Sequence, residues 1–149
     1  MASTSPPRVP AGDDDALIIA RALRLEDFLP EFNGQLCGKL FARSGVCVYE
    51  PGAFLIQQGE KGRDLFVLLE GRVTVTKNMG AASRQVNELG PEAVLGEIAL
   101  LRDGTRTASV VALMSTRAFR LVNEDLSYVL EYNPELAVHL EELIEQRSS

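Results

Sequence analysis

The chain has no tryptophan, a single histidine (His139) and two cysteines (Cys37 and Cys47). No apolar run approaches the roughly 20 residues that a membrane span requires. Two cysteines ten positions apart, without a second pair or a histidine cluster, make no zinc site, so they are read as packing residues with reduced thiols. Positive charge is also short: 15 Lys plus Arg against 21 Asp plus Glu leave a net charge of −6, without the footprint of a nucleic-acid binder. A nucleophile with its base, a metal cluster and a phosphate-binding P-loop are missing as well, so no catalytic constellation is expected and no metal or cofactor.

What is present is ordinary for a soluble globular domain. The chain is 46% hydrophobic and 24% charged over 149 residues, enough to bury one core without disulfides. Residues 1–15, MASTSPPRVPAGDDD, lack an apolar signal core and read as a flexible leader of a cytoplasmic protein. Residues 16–149 form the domain. Ile18, Ala22, Leu25 and Leu29 recur at helical spacing after Asp15, which is placed to cap a helix near 16–25. Phe28, Phe32, Leu36 and Leu40 suggest a second helical piece, interrupted at Asn33-Gly34.

From about residue 44 to 122 the period changes to two and turn signals come at short intervals. Leu65, Val67 and Leu69 alternate before a Glu70-Gly71 turn, and Val73 and Val75 alternate after it, a hairpin with one buried face. Further strands are expected at 46–49, 53–57, 84–89, 106–113 and 116–122. Seven or eight short strands point to a sandwich, jelly roll or small barrel. Helix returns over about 124–147. Asn123 is placed to cap a run bearing Leu126, Val129 and Leu130, and Asn133-Pro134 opens a last helix with Leu136, Leu140, Leu143 and Ile144 in one stripe. His139 falls off that stripe, on a solvated face.

The stretch LGEIALLRDGTRTA, residues 95–108, carries the most chemistry. Residues 96–101 suit one short helical turn entered at Gly96, and the first amides of such a turn have no internal partners and favour an anion. Arg106 follows beyond the Asp103-Gly104 turn, where its planar guanidinium suits two phosphate oxygens. Thr107 adds a hydroxyl and Ala108 an amide. Glu97 would repel a bare phosphate, but it suits a ligand that also brings a hydroxyl needing an acceptor, such as a ribose 2′-OH. The donor set therefore describes a ribose phosphate. The competing reading is a plain Glu97–Arg106 ion pair.

Residues 96–108, G-E-I-A-L-L-R-D-G-T-R-T-A, resemble the phosphate-binding cassette of cyclic nucleotide-binding domains, G-E-x-A-L followed by a loop and R-[TAS]-A. GEKGRDLFVLLEGRV, residues 59–73, resembles the glycine-bearing strand and hairpin of the same family. The likeness extends over about 25–147, and it departs at Leu95, where the family is often aromatic. It implies a mainly β fold with flanking helices: an eight-stranded antiparallel, jelly-roll-like β-roll with an N-terminal helix and two C-terminal helices. It also implies that Gly96, Ile98, Ala99 and Ala108 offer backbone donors, that Arg106 pairs the cyclic phosphate, that Glu97 takes the ribose 2′-OH, and that the last helix closes over the base as a lid. For the stripe residues Leu140, Leu143 and Ile144, a lid, a homodimer seam and packing on the roll all stand open.

Within that family Thr107 is the informative residue for the base. Threonine there contacts guanine as well as phosphate, yet bacterial-type cAMP binders also carry Ser or Thr. On the strand at 84–89, Val86 and Asn87 are placed to meet the base, and an amide that both donates and accepts does not choose. The balance favours cAMP, with cGMP the alternative. The expected role is a regulatory sensor that relays binding through its C-terminal helices to a protein effector, without nucleic acid or membrane. The alternative is a structural roll that has lost its ligand. Whether the chain is complete or one domain of a longer protein is open.

Overall fold

The computed structural model describes residues 6–96 and 105–148. Four helices and eight strands are found among them: α1 (Asp13–Ala22), α2 (Gly34–Leu40), β1 (Gly45–Tyr49), β2 (Phe54–Ile56), β3 (Leu65–Glu70), β4 (Val73–Met79), β5 (Ala82–Leu89), β6 (Val94–Leu95), β7 (Ser109–Ala112), β8 (Thr116–Leu121), α3 (Asn123–Tyr132) and α4 (Pro134–Ser148). The strands form two antiparallel four-stranded sheets, ordered β1-β8-β3-β6 and β2-β7-β4-β5. This is the β-roll with flanking helices that the family resemblance implies.

Two cores hold it together. Cys47, Tyr49, Ile56, Phe66, Leu68, Val73, Leu95, Val110, Ala112 and Ala118 fill the roll between the sheets. On the outer face of the first sheet, Leu65, Val67, Leu69, Phe119 and Leu121 meet Ile19 and Leu23 near α1, Leu126 of α3, and Leu136, Leu140 and Leu143 of α4. β3 therefore buries both faces, contrary to the expected hairpin with one buried face. Its run LFVLLE is apolar at successive positions because alternate side chains serve different cores.

Several expected caps move. α1 begins at Asp13, with Gly12 as its N-cap, and the Gly12 amide donates to the carboxylate of Asp15 three residues on (3.1 Å). The expected leader is partly docked, since Val9 forms a β-bridge with Val46. Asn33 starts α2 rather than interrupting a helix: its side chain accepts the Leu36 amide at 2.9 Å. Asn133 caps α4 in the same way, accepting from Leu136. Asn123 is not a cap. α3 has Val122 at that position, with no side-chain cap of its own. Its donors are satisfied from elsewhere: the Ser44 hydroxyl accepts the Val122 amide at 3.0 Å and the Asp64 carboxylate accepts the Asn123 amide at 2.9 Å.

Candidate functional site

The two motifs, residues 59–73 and 96–108, meet through their backbones. The Gly59 amide donates to the Arg106 carbonyl, and the Arg106 amide donates to the Glu60 carbonyl, both at 2.9 Å. Lys61 and Thr105 form a β-bridge, reinforced by a 2.6 Å bond from Nζ of Lys61 to the Thr105 hydroxyl. The segment before β7 is thus sewn to the loop before β3, and Arg106 lies at the seam.

Arg106 is only 8% exposed. Its guanidinium donates to the carbonyl oxygens of Gly96 (3.2 Å) and Asp64 (2.9 Å), so it ties the end of β6 to the start of β3. Two glycines make room for it. A Cβ at Gly62 would lie 3.1 Å from the guanidinium nitrogens, and one at Gly96, where φ is +91°, would lie 2.7 Å from both Nη1 and the Asp64 carbonyl. Gly62 reads in sequence as a turn glycine, and its service to Arg106 becomes visible only once the loop has folded against residue 106.

A cavity of about 360 Å³ opens beside this seam, lined by Tyr49, Ile56, Gln57, Asp64, Phe66, Arg106 and Arg120 among others. Its wall is both apolar and charged. Arg120 pairs with Asp64 at 2.7 Å, and its guanidinium carbon stands 5.9 Å from the centre of the Phe66 ring. Burial holds the Tyr49 phenol above its usual range.

Of the expected site residues, Gly96, Arg106, Thr107 and Ala108 fall around the seam, Thr107 and Ala108 half-buried just before β7. Glu97, Ile98 and Ala99 lie outside the described residues. Val86 and Asn87 are exposed on β5, and neither lines the cavity at Arg106. The Asn87 carboxamide oxygen instead accepts the Glu88 amide at 2.8 Å. Leu140 and Leu143 are buried in the helix-side core, the placement that packing on the roll requires. Ile144 belongs to the same helix, and its side chain lies outside the described part. His139 is not on a solvated face: Nε2 is 3.0 Å from the Leu23 carbonyl and its ring lies 4.6 Å from that of Phe28. Among the described residues no three His, Cys, Asp or Glu side chains gather as a metal site, and no helix is long and apolar enough to cross a membrane.

Residues 46–133 match the family model described as the cyclic nucleotide-binding domain. The chain belongs to that family. This cyclic nucleotide-binding domain is 32% identical over 101 residues to the Cyclic AMP receptor protein of Thermus thermophilus, an alignment covering 67% of the chain and 47% of the relative. It is 31% identical over 113 residues to the cGMP-dependent protein kinase of Plasmodium berghei, covering 76% of the chain and 13% of the kinase. The chain thus spans less than half the length of these curated relatives. Among solved structures, a cyclic nucleotide-binding domain from Methylobacillus flagellatus superposes with a TM-score of 0.72 at 23% identity, covering 93% of this chain and 82% of that one, a likeness of fold.

Proposed function

We propose that this domain binds a cyclic nucleotide, cAMP ahead of cGMP, with Arg106 as the anchor of the cyclic phosphate. The observation that carries the reading is a buried guanidinium at the seam of the two motifs, in a space that Gly62 and Gly96 keep clear. In that setting a paired, planar donor set interacts strongly with a phosphate. Gly96, Ile98, Ala99, Thr107 and Ala108 supply further donors, and Glu97 accepts the ribose 2′-OH. Val86 and Asn87 remain the proposed base contacts, and approach of β5 to the ligand is part of the proposal. The names of the relatives divide between cAMP and cGMP, and Thr107 is compatible with both. The role is regulatory rather than catalytic, in the cytoplasm, with a protein effector reached through α3 and α4. Pairing of two copies through those helices, with Leu140, Leu143 and Ile144 as lid or seam, belongs to the same reading and requires Leu140 and Leu143 to leave the helix-side core that buries them here.

One observation favours the second reading, a structural roll without ligand. The Arg106 guanidinium already binds two backbone carbonyls, as a purely structural tie would. Arg106→Ala separates the two. As an anchor, its loss weakens cAMP binding by about 2 to 5 kcal/mol, tens to thousands of fold in Kd, in a protein whose thermal melt remains cooperative. Unchanged affinity in the folded variant discards the site.

A further inference from the structure

We propose that Asp64 is the positioning residue that couples the Arg106 anchor to the start of the C-terminal helices. The inference rests on Arg106 being the ligand anchor and adds the path by which its state reaches α3. Asp64 acts from both ends. Its backbone carbonyl accepts Nη2 of Arg106 at 2.9 Å. Its carboxylate accepts the Asn123 amide, the first of α3, at 2.9 Å through Oδ1, and pairs Arg120 through Oδ2 at 2.8 Å from Nε and 2.7 Å from Nη2. One residue, half-buried at the mouth of β3, thus holds the anchor with its main chain and a helix terminus with its side chain.

The helix depends on that contact. α3 carries no side-chain cap from Val122, so the orphan donor at Asn123 is met by a carboxylate 59 positions away in sequence. A carboxylate there also faces the positive end of the helix dipole. Both contacts belong to one residue, so a guanidinium that leaves the Asp64 oxygen for a phosphate releases the main chain at the mouth of β3, from which the carboxylate reaches Asn123. Arg120 lies in the same cavity wall as Arg106, which keeps the whole chain of contacts contiguous.

The test is amide hydrogen exchange over residues 123–126 in the whole chain, with and without saturating cAMP. In the wild type, cAMP shifts exchange there by about threefold or more, and in Asp64→Ala exchange is fast from the outset with the cAMP response below about twofold. Asp64→Asn keeps an oxygen for the Asn123 amide and loses the charge toward Arg120, so it falls between the two and serves if the alanine variant does not fold. A response of wild-type size in either variant overturns the proposal. A nucleotide-free cycle separates this from failure of the ligand reading. Arg106→Ala alone changes exchange at 123–126 by about threefold or more, with no further effect when Asp64 is already alanine and a smaller one when it is asparagine. Additive effects, or no effect of Arg106→Ala, mean that Asp64 is only a local cap, whether or not cAMP binds.

Discussion

The two sheets have four strands each and carry very different loads. β3 and β8 in the middle of the first sheet are buried on both faces, between the roll interior and the helices. In the second sheet β5 is exposed along nearly its whole length, and β4 becomes exposed from Lys77 onward. The first sheet is the structural centre, and the outer hairpin of the second is left to solvent. Arg106 joins them: it precedes β7 of the second sheet and holds the carbonyl of Asp64, which precedes β3 of the first.

Truncation should read this asymmetry directly. Phe119→Ala, at a ring 1% exposed and 6.0 Å from that of Phe41, is expected to cost about 3 to 5 kcal/mol in urea unfolding. A loss below about 1 kcal/mol would mean that the helix-side core is loosely packed. Gly71→Ala comes next. With φ at +97°, a Cβ there would lie 2.5 Å from the Thr116 hydroxyl and 2.7 Å from the Ser115 carbonyl, so the β3–β4 turn must move away from β8. The expected cost exceeds about 1 kcal/mol, and a neutral change would show that the turn adapts freely.

A smaller effect should appear in alkali. Burial pushes the Cys37 thiol up to about 12. The unfolded chain therefore gives up this proton first, at its ordinary value of 9.0, and the resulting stability is present below that value and lost as pH rises toward 12. Cys37→Ala should flatten this alkaline fall in urea midpoints, and an unchanged slope would assign the fall to other groups such as Tyr49. At the small end, Val86→Ala on exposed β5 should stay within about 0.5 kcal/mol of wild type. A large loss would mean that the outer hairpin bears load.

Local signals were legible where chemistry is local. β1 to β5, β7, β8, the Glu70-Gly71 turn and the Asn133 cap follow from period and turn residues a few positions apart, whereas the two-residue β6 (Val94–Leu95) has no such signal and is not among the expected strands. The errors share a cause in long-range contact. β3 reads as one-sided in sequence because its alternation fits one face equally well, and only the helices show that both are covered. His139 reads as solvent-facing because nothing near it in sequence announces the Leu23 carbonyl, 116 positions away. Asn123 reads as a cap from its residue type, whereas its own amide is met by Asp64, before β3. At the site, Arg106 and Gly96 are visible from motif chemistry, whereas Gly62 acquires its meaning only by meeting Arg106, and nothing near Asp64 in sequence announces its contact with Asn123.

The most direct test of the central claim is calorimetric titration of the purified chain with cAMP and cGMP, with AMP as control. Binding at roughly micromolar Kd or better, cAMP ahead of cGMP and AMP much weaker, is the predicted result. No heat from either cyclic nucleotide at high concentration, in protein that still unfolds cooperatively, would contradict it and leave Arg106 as a structural tie between the sheets.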